Sequence, residues 1–337
     1  MHPDDEGIVS VVVILHLFKD DDGFFKKIDF LHYKNFIKEL GLPEQKKIQK
    51  IIAPREKHWV GDGFHVSTIF SMHSEDVDSI SPFLLMDHAA PRYFPPTQQK
   101  LGVGEHPHRG FETVTFAIKG EVEHRDSGGG GGTITTGGIQ WMTAGSGVVH
   151  DEFHSREFSE QGGDFEMIQL WVNLPSKFKM TPPRYQSFAE ADFPVHHLEN
   201  PGITVKVIAG SYESVSSPVQ TFSPINIYEI NGPSQSQLEF PLPEGSNTLV
   251  FQLSGNSTLG NQTIDKGNLA ILGRSGDSLN LELNEESKVM ILNGEPLGEP
   301  VAAYGPFVMN TRQELMDAFK DFQEGKMGQL VDHPEQF

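Results

Sequence analysis

Four residues of metal-binding type fall into two closely spaced pairs, His106-Pro107-His108 and His150-Asp151-Glu152. Residues two apart in an extended strand point to the same side, so each pair directs two ligand atoms one way. Two such strands lying side by side would make a four-ligand cage. Three imidazoles and a carboxylate suit a first-row divalent ion, whether iron, manganese, nickel, cobalt, copper or zinc. Such an ion can keep positions open for oxygen or a substrate.

Three further residues lie near these pairs in the sequence. Glu112 has the parity of His108 if that strand continues, so geometry alone leaves the carboxylate position open between Glu112 and Glu152. His124 and His154 are expected to be surface or hydrogen-bonding residues rather than ligands. Of these two, His154 is the better reserve ligand because it shares the parity of Glu152.

The composition limits both the chemistry and the partners. The chain has 337 residues, 37% of them hydrophobic, which is enough for two domains of ordinary size. It has no cysteine, so any metal must be held by His, Asp or Glu. The net charge of −20 repels phosphate backbones and anionic lipid, which argues against direct binding to nucleic acid or membranes.

Residues 1–48 differ in character from the rest of the chain. Their apolar run, residues 8–18, is too short to cross a bilayer and follows acidic rather than basic residues. It is predicted to be a buried strand rather than a signal peptide, which favours a cytoplasmic protein. Residues 30–40 have helical spacing of apolar side chains. The role of this extension is not predicted.

From about residue 49 to residue 305, short apolar runs alternate with Gly, Pro, Asn and Asp, which is typical of an all-β protein. Residues 175–185 contain Pro182 and Pro183 and are predicted to connect two β domains. Six runs of strand length are residues 113–118, 167–172, 203–209, 248–253, 268–272 and 288–292.

Two local features complete the pattern. A capping box at Thr311 and Glu314 predicts a C-terminal helix that packs outside a barrel, with Gly325 able to end it. Its predicted apolar face consists of Leu315, Ala318, Phe319 and Phe322. Five glycines, residues 128–132, are predicted to form a flexible hairpin loop. A phosphate cradle would require a following helix and a lysine, and the sequence has neither there.

Residues 104–120, Gly-Glu-His-Pro-His-Arg-Gly-Phe-Glu-Thr-Val-Thr-Phe-Ala-Ile-Lys-Gly, resemble the first metal motif of the cupin superfamily. Residues 138–150 resemble the second motif, except that Gly145 replaces the usual proline. The combination of His-Pro-His-Arg-Gly-Phe-Glu-Thr, Gln-Trp-Met-Thr-Ala-Gly and His-Asp-Glu resembles the pirin family more specifically. This resemblance extends over about residues 49–330.

The resemblance implies two tandem cupin barrels of jelly-roll type with a C-terminal helix and a short N-terminal extension. The predicted domains are residues 1–48, 49–180 and 181–337. It also implies one metal, commonly iron, in the N-terminal barrel. The implied ligands are His106, His108, His150 and Glu152, and Glu112 would then lie near the site. Residues 198–332 contain no histidine, so the second barrel is predicted to be metal-free.

Some pirins cleave flavonols such as quercetin with molecular oxygen, so the resemblance implies a metal-dependent dioxygenase with a small aromatic substrate and O2. Glu152 would accept the hydroxyl proton as general base, and oxygen would add to the electron-rich ring. Four aromatic side chains could hold a flat substrate, although for each one taken singly a place in the hydrophobic core is the favoured interpretation. They are Phe111, Phe116, Trp141 and Phe153. Two alternatives remain, namely a redox-sensing protein that binds a protein partner in transcriptional co-regulation, and a barrel merely stabilised by its metal.

Overall fold

The computed structural model describes residues 43–200 and 202–330. The elements predicted at residues 8–18 and 30–40 lie outside this range. The strands up to the connector are β1 Ile48–Ile52, β2 His58–Val60, β3 Phe64–Ser71, β4 Phe83–Phe94, β5 Gly102–His108, β6 Phe111–Lys119, β7 Val122–Asp126, β8 Gly131–Ile134, β9 Ile139–Thr143, β10 Val148–His154, β11 Gly163–Asn173 and β12 Arg184–Phe188.

The remaining strands are β13 Val195–His197, β14 Thr204–Ala209, β15 Ser211–Tyr212, β16 Val215–Ser216, β17 Ile225–Gly232, β18 Ser236–Pro241, β19 Asn247–Ser254, β20 Asn256–Leu259, β21 Gln262–Asp265, β22 Leu269–Leu272, β23 Ser278–Leu283, β24 Ser287–Gly294, β25 Ala302–Tyr304 and β26 Phe307–Met309. The helices are α1 Val77–Ile80, α2 Arg156–Gln161 and α3 Arg312–Gln323, and short 3₁₀ turns lie at Ser176–Phe178 and Glu190–Asp192.

Each barrel consists of a seven-stranded and a four-stranded antiparallel sheet. In the first barrel the sheet orders are β12-β9-β6-β11-β4-β3-β2 and β5-β10-β7-β8. In the second they are β1-β22-β19-β24-β17-β14-β13 and β18-β23-β20-β21. The predicted all-β architecture with two barrels and a C-terminal helix is therefore confirmed.

All six predicted strand runs are strands, namely β6, β11, β14, β19, β22 and β24. Several of these runs are almost continuously apolar rather than alternating, because the strands lie in the middle of the seven-stranded sheets and are covered on both faces. In β19, for example, seven of the eight residues are buried. Their β-branched and aromatic residues fit this environment well.

The two large sheets share one hydrophobic core. Phe116 and Trp141 from the first barrel belong to the same buried cluster as Phe251 and Leu292 from the second. Two strands that lie next to the predicted domain boundaries, at residues 48 and 180, each pair with the barrel other than the predicted one. Strand β1 pairs with β22 of the second barrel, and β12 pairs with β9 of the first. The strand pairing therefore links the barrels in addition to the shared core.

The C-terminal helix begins as the sequence predicts. The Thr311 hydroxyl accepts a hydrogen bond from the Glu314 N–H at 3.2 Å, and the Glu314 carboxylate accepts one from the Thr311 N–H at 2.8 Å. Ala318 is fully buried in a cluster with Phe307 and Val149. The helix thus packs near β10 of the first barrel, which carries Val149. None of the described helices has the length and apolar character needed to span a bilayer.

A buried lysine ties this region to the first barrel. The Lys179 ammonium donates to the carbonyl oxygens of Gly110 at 2.8 Å and Val308 at 2.9 Å, and to Asn173 Oδ1 at 2.7 Å. Burial lowers the pKa of Lys179 to about 7, against the opposing effect of nearby glutamates. The three acceptors match the three donors of a protonated amine.

We expect Lys179→Met to lower the free energy of unfolding by about 3 kcal/mol, because three buried acceptors lose their donor. Urea unfolding at pH 6 measures this loss. Lys177→Met is the matched control, since Lys177 is exposed two residues away. Equal stability of the two variants would show that the buried amine has no structural role.

Candidate metal centre

The two predicted ligand pairs lie on neighbouring strands. Strands β5 and β10 are antiparallel, with His106 directly opposite His150 and His108 opposite Val148. The register shifts by one residue between His150 and Glu152. Ligand atoms of His106, His108 and His150 lie within 4.8 Å of one another, as do those of His124, His150 and Glu152. His150 belongs to both groups and therefore stands at their centre.

One buried nitrogen of this cluster has no hydrogen-bond partner. His150 is fully buried, and its Nε2 makes no hydrogen bond among the described residues. Buried polar atoms of native proteins almost always have a partner, so a lone imidazole nitrogen beside two other histidines fits a metal ligand. Burial lowers the pKa of His150 and of His108 well below the ordinary value, and the neighbouring histidines act in the same direction. Both rings are therefore neutral, as metal ligands must be.

The other two histidines each point one nitrogen at a backbone carbonyl. His106 Nδ1 lies 2.8 Å from the Gly104 oxygen, and His108 Nδ1 lies 3.4 Å from the Pro306 oxygen. In a neutral ring the nitrogen facing a carbonyl carries the proton, which leaves the Nε2 lone pair free. Backbone contacts of this kind commonly orient metal-bound histidines. The donor set therefore fits a divalent transition metal.

The two candidate carboxylates have different surroundings. Glu152 is 7% exposed and accepts a hydrogen bond from the Thr115 hydroxyl at 3.0 Å. Glu112 is also buried and accepts a hydrogen bond from the Thr143 hydroxyl at 2.7 Å. In the part of the chain that the structure describes, Glu112 belongs to neither group of close ligand atoms. The geometry thus favours Glu152 over Glu112 for the carboxylate position.

Glu112 also gives the protein a pH-dependent stability. Burial raises the pKa of Glu112 from 4.5 to about 7, although the Thr143 hydrogen bond acts in the opposite direction. An acid whose pKa is higher in the folded state stabilises the fold at low pH, and this contribution is lost as the pH rises from about 4.5 through 7. Between these values the unfolded chain releases the proton while the folded chain retains it.

When the pH rises from 5 to 8, the free energy of unfolding should fall in the metal-free wild type because Glu112 ionises. In metal-free Glu112→Gln this fall should be smaller by about 1–3 kcal/mol, because the amide does not ionise. Urea unfolding at both pH values measures the difference. Parallel losses in the two proteins would contradict the raised pKa.

The structure reverses the order of the two reserve histidines. His154 Nε2 lies 3.0 Å from the Gly63 carbonyl oxygen, and its ring packs against Phe94 and Phe165. The prediction that His154 is a better alternative ligand than His124 is therefore wrong. His154 lies near the end of β10, past the metal cluster, where its ring packs among aromatic side chains. His124 is likewise buried rather than on the surface, and its Nδ1 lies 3.3 Å from His150 Nδ1.

The four aromatic residues predicted to hold a flat substrate lie in different surroundings in the structure. The Phe111 ring lies 5.1 Å from the His108 ring, so Phe111 borders the cluster. Phe116 and Trp141 belong to the core shared by the two barrels, and the Phe153 ring is covered by the Lys100 ammonium at 4.1 Å. Trp171, whose ring lies 5.4 Å from that of His108, is a further neighbour of the cluster that the sequence does not predict. In the sequence Trp171 was an ordinary member of an apolar strand.

Comparison with known proteins places the chain among relatives of the same architecture. Residues 63–172 match the family model described as Pirin, and residues 227–328 match that of the Pirin C-terminal cupin domain. A Pseudomonas aeruginosa protein named "Putative quercetin 2,3-dioxygenase" is 46% identical over 83% of this chain and 98% of its own length. A "Pirin-like protein" of Solanum lycopersicum is 36% identical over 83% of this chain and 92% of its own length.

A solved structure shows the same fold. The crystal structure of a protein titled quercetin 2,3-dioxygenase from Acinetobacter baumannii superposes with a TM-score of 0.83 at 48% identity. The match covers 86% of this chain and all of that one. Both comparisons span the first barrel, which carries the clustered histidines, as well as the second barrel.

Proposed function

Because this chain belongs to the pirin family, we propose that it is a cytoplasmic, metal-dependent dioxygenase that cleaves flavonols or related phenols with O2. The observation that carries the proposal is the buried Nε2 of His150, which has no hydrogen-bond partner among the described residues and lies beside two other histidines. The names of the relatives in Pseudomonas and Acinetobacter support the choice of a quercetin-like substrate.

The proposed ligands are His106, His108, His150 and Glu152, which hold one divalent ion. Iron(II) is the proposed ion, and the same donors would accept manganese, nickel, cobalt, copper or zinc. Bound there, the ion would lower the pKa of the flavonol hydroxyl and orient oxygen beside the ring. No direct contact with nucleic acid or membrane is part of the proposal, given the net charge of −20.

Residues of the protein accept the proton that leaves the flavonol hydroxyl. A carboxylate oxygen of Glu152 accepts the proton of the flavonol hydroxyl, while the Thr115 hydroxyl holds Oε1 of the same carboxylate at 3.0 Å. General-base catalysis requires such a positioned carboxylate within hydrogen-bond reach of the proton. Trp171 is only partly buried and packs on the fully buried Phe111, with 4.4 Å between the rings, so Trp171 offers an apolar surface beside His108 for a flat aromatic substrate.

The test is oxygen uptake by purified protein loaded in turn with iron, manganese, nickel, cobalt and copper, with quercetin as substrate. The proposal expects about one ion per chain and uptake that depends on both the ion and quercetin. Bound metal without uptake for quercetin or related phenols would reject the dioxygenase and favour a redox-sensing protein that acts through a protein partner. A metal that only raises the melting temperature would favour the stabilising role.

A further inference from the structure

A chain of hydrogen-bonding side chains runs outward from His150. His150 Nδ1 lies 3.3 Å from His124 Nδ1, and the Gln140 amide nitrogen lies 2.9 Å from that same His124 atom. On the far side of the ring, His124 Nε2 lies 3.2 Å from Asp126 Oδ2. His124 and Gln140 are buried, as is the carboxylate of Asp126, which has 4% side-chain exposure. None of these three residues belongs to the ligand set proposed above.

The contacts select one protonation pattern. A carboxylate only accepts, so the neutral form of the His124 ring carries its proton on Nε2, facing Asp126, and its Nδ1 has one lone pair that accepts. That lone pair is shared between the Gln140 amide at 2.9 Å and His150 Nδ1 at 3.3 Å, an arrangement that places the proton of a neutral His150 ring on Nδ1. The proton of His150 is thereby placed away from Nε2, the atom that has no partner in the described part of the chain. Asp126 therefore influences the proton position of His150 indirectly, through its contact with the ring of His124.

The five-glycine tract holds the outer end of this chain. Asp126 Oδ1 accepts hydrogen bonds from the N–H groups of Gly128 at 2.7 Å and Gly130 at 3.0 Å. Gly129 has a φ of +89°, a conformation that favours glycine. A side chain at Gly130 would place its Cβ only 2.5 Å from the Cβ of Tyr185. The Tyr185 ring stacks on His124, with 5.2 Å between the ring centres. A glycine at position 130 therefore leaves room for the tyrosine that covers His124.

We propose that His124 and Asp126 are positioning residues that fix the tautomer and ring orientation of His150 for metal binding, with the glycine turn as their anchor. The inference rests on the proposed role of His150 as a ligand. Carboxylates and other acceptors behind metal-bound histidines typically change metal affinity 10- to 100-fold. The glycine tract, predicted from the sequence as a flexible loop, thus becomes a structural part of the centre.

The test compares two replacements of similar size at residue 124. His124→Asn retains an acceptor oxygen near the position of Nδ1, whereas His124→Leu removes it. Nickel affinity, measured by competition with a chelator, is expected to fall about 100-fold in His124→Leu but only about 10-fold in His124→Asn, which keeps the acceptor for His150 and lacks the nitrogen that contacts Asp126. Thermal unfolding of the metal-free proteins reports whether each variant folds.

Asp126→Asn provides a second route that does not alter the ring. An amide cannot accept from both His124 and the two glycine N–H groups, so one side of the network is mismatched and nickel affinity should fall about 10-fold. Glu123→Gln, on the outer side of the same strand, is the control and should bind nickel like the wild type. Equal affinity in Asp126→Asn and Glu123→Gln, or equal losses in the Asn and Leu variants of residue 124, would overturn the inference.

The nickel readout separates this inference from the proposed reaction. Unchanged oxygen consumption on adding quercetin, together with the predicted order of nickel affinities, would reject the dioxygenase and support the positioning role. Wild-type protein that binds no nickel at all would overturn the inference, because His150 would then have no ion to orient.

Discussion

His150→Ala is expected to lower metal affinity by more than about 100-fold, a larger loss than replacement of residues behind the ligands causes. His150 is fully buried, and it is the residue common to both groups of close ligand atoms. Its removal takes away one metal–ligand bond and the side chain that both groups of ligand atoms share. Metal content after dialysis, followed by chelator competition, measures the effect.

His73→Ala is the matched control, because His73 is exposed and has no part in the cluster. It should keep the wild-type metal content. Ligand binding stabilises a folded protein in proportion to the logarithm of ligand concentration over Kd, so added metal should raise the melting temperature of the control but not of His150→Ala. Full occupancy in His150→Ala would refute the ligand assignment.

Glu152→Gln is expected to retain its metal and to lose about 10²- to 10⁴-fold in turnover, the usual contribution of general acid–base catalysis. The amide oxygen can still face an ion and accept the Thr115 hydrogen bond, but the side chain no longer takes up a proton near neutral pH. Steady-state oxygen uptake together with metal analysis separates the two effects.

Glu112→Gln is the control for this prediction, since it changes a second buried carboxylate that lies outside both groups of ligand atoms. It should keep both metal and most of its turnover. Unchanged turnover in Glu152→Gln would reject Glu152 as the base. Loss of metal in Glu112→Gln but not in Glu152→Gln would move the carboxylate ligand to Glu112.

The sequence predicted what depends on short-range geometry. The two-residue period of a strand placed His106 with His108 and His150 with Glu152, and in the structure the two strands that carry these pairs are neighbours. The six apolar runs became strands because apolar runs bounded by turn residues have few other stable arrangements. The capping box of the C-terminal helix is also local, since its two residues are three apart.

The features that the sequence does not predict depend on pairing between segments that are far apart in the chain. Parity within β10 favoured His154, but the pairing of β7 with β10 places His124 directly opposite Glu152. Trp171 reaches His108 across the barrel, which no spacing reveals. The same is true of β1, whose partner β22 lies more than two hundred residues further along the chain.

The most direct test of the proposed metal centre is an anomalous-diffraction map from crystals grown with iron or nickel. Coordination by the proposed ligands predicts one peak per chain, about 2.0–2.2 Å from a nitrogen of each of His106, His108 and His150 and from an oxygen of Glu152. A peak held by a different set of residues, or a fully loaded crystal with no peak between β5 and β10, would contradict it.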